Sequence, residues 1–218
     1  MPITDEFNVQ IGLDIIHEND SSGQPWSWLN IFCQGTQFQV CVLLDSAGQP
    51  TGQQVVEAFG LGWTNWAGFP ERGVVADRAK PFLAALSDEV ADHGCTFGSA
   101  AKASPWQIGQ IERHGGLWKE TFRRVVWAHQ VSGRQDVIMT TAAVNQAKNS
   151  LVRKGGFSPA QWVLGRDVRL PASLADDQEV MRVGAQALAA TLSSLFYRKT
   201  QLRMAAEKLS LAVPQVKP

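Results

Sequence analysis

The chain has 218 residues, 44% of them hydrophobic and 18% charged, with 20 basic and 20 acidic side chains in formal balance. These values exclude an intrinsically disordered segment and leave room for one core of ordinary size plus an extension. Zero net charge argues against a uniformly basic nucleic-acid binder, and no apolar run approaches the length of a membrane span.

Phe7 to Ile16 reads as a first strand ending near Asp14, followed by a polar loop from Glu18 to Pro25. Trp26 to Cys33 and Gln37 to Leu44 read as two further strands, with Gln34-Gly35-Thr36 as the turn between them. After a loop from Asp45 to Pro50, Thr51 is placed to cap a helix from Gly52 to about Trp63. Its apolar positions Val55, Val56, Phe59 and Trp63 follow helical spacing. Gly73 to Ala76 is a short apolar strand leading to Asp77. Lys80-Pro81 opens a helix through about His93, with Phe82, Leu83, Leu86 and Val90 on one face.

Cys95 to Gly98 reads as a strand and Lys102 to Trp106 as a loop. A long helix follows from about Ile108 to Trp127, with Ile111, Trp118, Phe122, Val125 and Val126 toward the core. Gly115-Gly116 inside it costs about 1 kcal/mol per glycine, which marks close packing or close approach of a ligand. Arg134 to Val152 and Ser158 to Leu164 read as helices. Ala185 to Leu211 reads as an appended one. Strands first and then alternating strands and helices predict an α/β fold, a mixed sheet with helices on its faces.

Three carboxylates stand in distinctive settings. Asp14 closes the run Val9-Gln10-Ile11-Gly12-Leu13, Asp77 closes Gly73-Val74-Val75-Ala76, and Glu112 opens a helical pattern after Ser104-Pro105-Trp106-Gln107-Ile108-Gly109. An acid at the edge of a buried strand is costly unless a positive charge compensates it, and three that converge suit a divalent cation. Asp77 and Glu112 have 34 residues between them. Downstream stand Gly156-Phe157-Ser158-Pro159-Ala160-Gln161-Trp162 and Leu164-Gly165-Arg166.

In this order, and over about residues 7 to 170, these segments resemble the catalytic core of retroviral and retrotransposon integrases, the D,D-E family with a ribonuclease H-like fold. The resemblance implies a five-stranded ribonuclease H-like core over residues 1–170 and a helical extension over 171–218. It implies catalytic acids Asp14, Asp77 and Glu112 that hold two Mg²⁺ or Mn²⁺ ions. Asp14 and Asp77 would share one ion, and Asp14 and Glu112 the other. The implied reaction joins element DNA ends to target DNA by transesterification, with water or a DNA 3′-hydroxyl as nucleophile. Two rivals stand beside it: a retroelement-derived domain that keeps the fold and only binds nucleic acid or protein, and a ribonuclease H-like nuclease.

Gln110, Arg113 and Lys119 are the expected DNA contacts, Lys119 lying two helical turns after Glu112. The neutral total hides an uneven distribution. Residues 1–99 carry a net −9, residues 100–170 a net +7 and residues 171–218 a net +2, so the basic middle begins at the expected active-site loop. By the same resemblance the chain forms a homodimer or higher oligomer, with the Arg134–Val152 helix in the shared surface. It is expected to work inside the cell, and in the nucleus if it is active in a eukaryotic host.

Other positions read as structural. His114 is expected at the surface. Lys148, Arg153 and Lys154 form a basic cluster near a helix end, and Trp118, Trp127 and Trp162 belong to a core or an interface. Trp106 is placed either to stack near DNA or to pack its loop onto the core. Cys33 and Cys41 read as buried thiols. The three cysteines and four histidines show no zinc-ligand spacing, and the odd cysteine count fits a reducing compartment. The family pattern is broken in places. Ala76 precedes Asp77 where a polar residue is usual, Ala79 replaces a glycine after it, and Ile108 stands where polar residues are common.

Overall fold

The apolar alternation resolves into a five-stranded mixed sheet in the computed structural model, which describes residues 6–44, 49–76, 83–99, 105–151, 156–166 and 194–211. In chain order the strands are β1 (Gln10–Asn19), β2 (Pro25–Cys33), β3 (Gln39–Leu44), β4 (Gly73–Ala76) and β5 (Thr96–Ser99). Their spatial order is β3-β2-β1-β4-β5, antiparallel from β1 through β3 and parallel from β1 through β5. The helices are α1 (Gly52–Phe59), α2 (Asn65–Ala67), α3 (Leu83–Asp92), α4 (Pro105–His129), α5 (Gly133–Leu151), α6 (Pro159–Leu164) and α7 (Ser194–Leu211). This is the α/β architecture expected.

β1 is longer than expected. It continues past Asp14 to Asn19, because the polar residues read as loop pair with β2 as far as Asn19 opposite Pro25. His17 Nδ1 also lies 2.8 Å from Ser27 Oγ across that ladder. Asp20 then closes the hairpin. Its carboxylate accepts from the Ser22 and Gln24 amides, from Trp26 Nε1 and from the Gly133 amide at the head of α5. Burial alone would raise its pKa, but these donors, together with the Ser22 hydroxyl, outweigh burial and bring it down to about 2.

The helix after Thr51 begins as expected, with a capping box. Thr51 Oγ1 accepts from the Gln54 amide at 3.3 Å, and Gln54 Oε1 accepts from the Thr51 amide at 2.9 Å. It loosens into a π-helical turn at Gly60–Thr64 before α2. The expected loop at Lys102–Trp106 is cut short, since α4 already begins at Pro105, where proline's fixed φ suits a first helical position.

The two faces of the sheet bury different cores. Odd positions of β1 (Ile11, Leu13, Ile15) join Leu29, Ile31, Val55, Phe59, Trp63, Leu86 and Val90 under α1 and α3. The other face carries Ile16 and Trp28 under α4, α5 and α7, with Trp118, Phe122, Val144, Leu202 and Ala206. Trp28 lies 5.3 Å from Trp118 and 4.9 Å from Phe122 between ring centroids, contacts that add about 0.5–1.5 kcal/mol each beyond burial.

α5 seals the open edge of β3. Asn149 Oδ1 accepts from the Gln39 amide at 2.9 Å while its Nδ2 donates to the Gln39 carbonyl at 2.8 Å. One turn earlier, Asn145 does the same for Cys41, at 3.1 and 2.9 Å. Two asparagines at helical spacing thus stand in for a missing sixth strand, and they satisfy backbone groups that would otherwise template aggregation.

Candidate functional site

Asp14 sits in the middle of the central strand, on the face that α4 covers. It is half-buried, and its Oδ1 accepts from the Ile15 amide at 2.8 Å. Its cross-strand partner on β2 is Asn30, whose own partner on β3 is Cys41. On the other side β1 runs parallel to β4 as far as Leu13 opposite Ala76. Asp14 follows that last pair directly. Asp77, the residue after Ala76, lies outside the described residues, as does the expected Arg78–Phe82 segment.

α4 is laid along β1 by three contacts. Gly12 has no room for a Cβ, because the Ile111 side chain occupies that space. A Cβ on Gly115 would stand 3.3 Å from Asn30 Nδ2 and 3.5 Å from Ile16 Cγ2. Farther along, Arg123 holds Glu18 through two hydrogen bonds of 2.9 and 2.8 Å. The first two contacts bracket both acids: Asp14 lies between Gly12 and Ile16, and Glu112 lies between Ile111 and Gly115. The absent Cβ at Gly12 and at Gly115 lets the helix settle close enough to the strand for this to occur. Gly116, its neighbour, faces open space, so only the first glycine of the expected pair marks close packing.

Glu112 and Arg113 are exposed side by side on α4, and Lys119 is half-buried. Gln110 is half-buried with its Oε1 enclosed by protein, where it finds no donor among the described residues. The side chain of Trp106 lies outside the described residues.

Two residues expected at the surface are buried. His114 is 7% exposed and Lys148 4% exposed, and Lys148 Nζ lies 2.8 Å from His114 Nδ1. Lys148 therefore does not form a surface cluster with its basic neighbours in sequence. Burial pushes the Lys148 ammonium down to about 7. Burial, with the charges of Lys148 and Arg113, pushes the His114 imidazole down to about 2, so the ring is neutral. His114 stands three residues after Ile111 and four before Trp118, so helical spacing already puts it on the core face, while its partner comes from another helix. The i, i+4 pair Asn145 and Asn149, flanking the apolar Ala147, is a second signal of this polar layer in the sequence.

The donor chemistry suits a hard divalent cation. Asp14 and Glu112 offer carboxylate oxygens, whereas the nearest imidazole and thiol are committed to the interior. His114 faces Lys148, and burial holds the Cys41 thiol well above its ordinary range. Among the described residues no group of three or more His, Cys, Asp and Glu forms a metal-binding cluster.

No protein-family profile matches the sequence, and no curated protein does. Solved structures do share its fold. The catalytic core domain of HTLV-2 integrase, solved in complex with magnesium in a dimeric form, superposes with a TM-score of 0.57 at 13% identity, over 72% of this chain and 96% of that one. A simian T-cell lymphotropic virus intasome in complex with PP2A regulatory subunit B56 gamma gives 0.62 at 14% identity, over 78% of this chain and 59% of that one. The catalytic core domain of BIV integrase gives 0.56 at 14%, over 72% and 95%. The chain has the fold of a retroviral integrase catalytic core.

Proposed function

We propose that this chain, with the fold of an integrase core, is a polynucleotidyl transferase that breaks and rejoins DNA phosphodiesters with divalent cations held by Asp14, Asp77 and Glu112. One observation carries this reading. In that fold, the two close contacts of α4 on β1 bracket Asp14 and Glu112 at the same crossing. Bound Mg²⁺ or Mn²⁺ would supply charge neutralisation at the phosphate and a lowered pKa for the attacking water or hydroxyl. The protein supplies rigidity. Asp14 is fixed on a central strand between two neighbours, and Glu112 is carried on a 25-residue helix seated against that strand. Such fixation matters because a displacement of about 1 Å can cost about a hundredfold in rate.

To Arg113, beside Glu112 and exposed, to Lys119, two helical turns on, and to Gln110, one turn before Arg113, we assign contacts with the DNA backbone. They belong to the +7 segment of a chain that is neutral only in sum. The HTLV-2 core was solved in dimeric and trimeric forms, and we extend self-association to this chain as part of the same reading.

Incubation with a branched DNA that mimics an integration product, in Mn²⁺, tests the assignment. Metal-dependent resolved and rejoined strands are expected, reduced at least about a hundredfold in Asp14→Asn and in Glu112→Gln. Cleavage without rejoining would favour a hydrolytic nuclease. No products from a chain folded by circular dichroism would favour a binding domain that lacks the chemistry.

A further inference from the structure

Beneath the crossing of α4 and β1 lies a buried pair of nitrogen side chains that phosphodiester chemistry does not use. Lys148 Nζ, near the end of α5, reaches His114 Nδ1 at 2.8 Å. Lys148 Nζ carries N–H donors whether it is charged or neutral, and in the pairing where it donates, Nδ1 accepts and the ring proton sits on Nε2. The imidazole stacks on Phe32 with centroids 4.4 Å apart and planes inclined by 27°, and Lys148 Nζ stands 5.8 Å from the same ring. Phe32 is the cross-strand partner of Gly12, the residue on which Ile111 rests.

The backbone of the same turn is held as well. Gln39 Nε2 donates to the His114 carbonyl at 3.3 Å and to Asn30 Oδ1 at 2.7 Å, and Asn30 pairs with Asp14 across the ladder. Side chains from β2, β3 and α5 therefore converge on the turn of α4 that carries Glu112, two residues before His114. The Cys41 thiol at the centre of this layer feels both the Lys148 and the Asp14 charges, so the pair and the acid share one electrostatic neighbourhood.

Burying an amine is expensive, and among the described residues Lys148 has no carboxylate partner to offset it. An apolar chain of similar length would fill the same space at lower cost. What the amine adds is a fixed donor to His114, and thereby a fixed rotation of α4 about its axis.

We propose that Lys148 and His114 are a positioning pair, which sets the α4 turn bearing Glu112 over Asp14 and so tunes divalent-cation affinity. Neither touches the reacting atoms. The proposal rests on the metal-site reading above, and supporting groups of this kind typically change metal affinity 10–100-fold.

Thermal melting of the full chain under Mn²⁺ titration separates this role from plain packing. The wild-type melting temperature rises with Mn²⁺, because the cation binds the folded chain. Lys148→Met keeps or raises the metal-free melting temperature, yet needs about tenfold or more Mn²⁺ for half the shift. His114→Phe keeps the ring on Phe32 and loses the acceptor, and is expected to behave alike. It decides the matter if Lys148→Met does not fold. A merely structural pair would leave half-saturation unchanged whatever the metal-free value, which overturns the proposal. A wild-type chain indifferent to Mn²⁺ overturns the metal site itself, and the pair's role with it.

Discussion

At the scale of single residues, buried charge is the clearest cost the fold carries, and Glu207 illustrates it. It is fully enclosed on α7, with Arg203 Nε at 3.5 Å and with Oε2 lacking a donor among the described residues. Burial pushes its carboxyl above the usual range, against the opposing pull of Arg203. The folded chain thus keeps the proton to higher pH than the unfolded one. Stability from this group is present at low pH and is lost as pH rises through the folded value. Glu207→Gln removes that loss, so its melting temperature relative to wild type is expected to gain more at pH 8 than at pH 5. Equal shifts at the two pH values would contradict this account. Burial of this kind was the least legible property of the sequence. His114 reads as a surface residue between Arg113 and Gly115, and Lys148 as one of three clustered bases. Both stand on core faces by helical spacing, His114 between Ile111 and Trp118 and Lys148 four residues after Val144, but their polar character masks this and their pairing across 34 positions leaves no local trace. The strand that carries Asp14 and the helix that carries Glu112 were legible because their flanking residues form recognisable runs, whereas Asp77 lies outside the described residues.

Among elements, apolar alternation marked all five strands and helical spacing marked the long helices. The discrepancies fall where polar residues find partners that no window reveals. β1 runs on to Asn19 because His17 meets Ser27 and Asp20 gathers donors from the hairpin and from α5. The asparagine clasp on β3 depends on the docking of α5 and not on its own sequence alone. The seating of α4 on β1 is the element-level feature on which the site depends. Gly12→Ala places a methyl where Ile111 already packs, and overpacking of this kind costs about 1–3 kcal/mol. The urea midpoint should fall, and rejoining activity should fall further than the stability loss alone accounts for, because the Glu112 turn is lifted from Asp14. Adding Ile111→Val should recover part of both. Full additivity of the two substitutions would show that the contact does not couple helix to strand.

Over the whole molecule, the chain is neutral in sum and divided in detail, acidic through residue 99 and basic from 100 to 170. The basic segment contains α4, on which Arg113 stands exposed beside Glu112 while Arg123 and Arg124 are paired with Glu18 and Glu120. α7 closes the second core through Leu202, Ala205 and Ala206. It is tied to the head of α5 by Arg198, which reaches Asp136 at 2.6 Å and the His129 carbonyl at 2.9 Å. That docking leaves α5 little apolar surface for a second copy, Ile138 being 37% exposed. Larger exposed apolar side chains are Trp127 at 69% and Phe157 at 54%. No helix among the described residues is long and apolar enough to cross a membrane.

The site at the α4–β1 crossing stands or falls on where a divalent cation binds. Anomalous diffraction at the manganese edge, from crystals of this chain soaked in Mn²⁺, measures that directly. The account predicts a peak in direct contact with carboxylate oxygens of both Asp14 and Glu112, and its loss in Glu112→Gln. Peaks confined to other acidic residues, with none between Asp14 and Glu112, would contradict it.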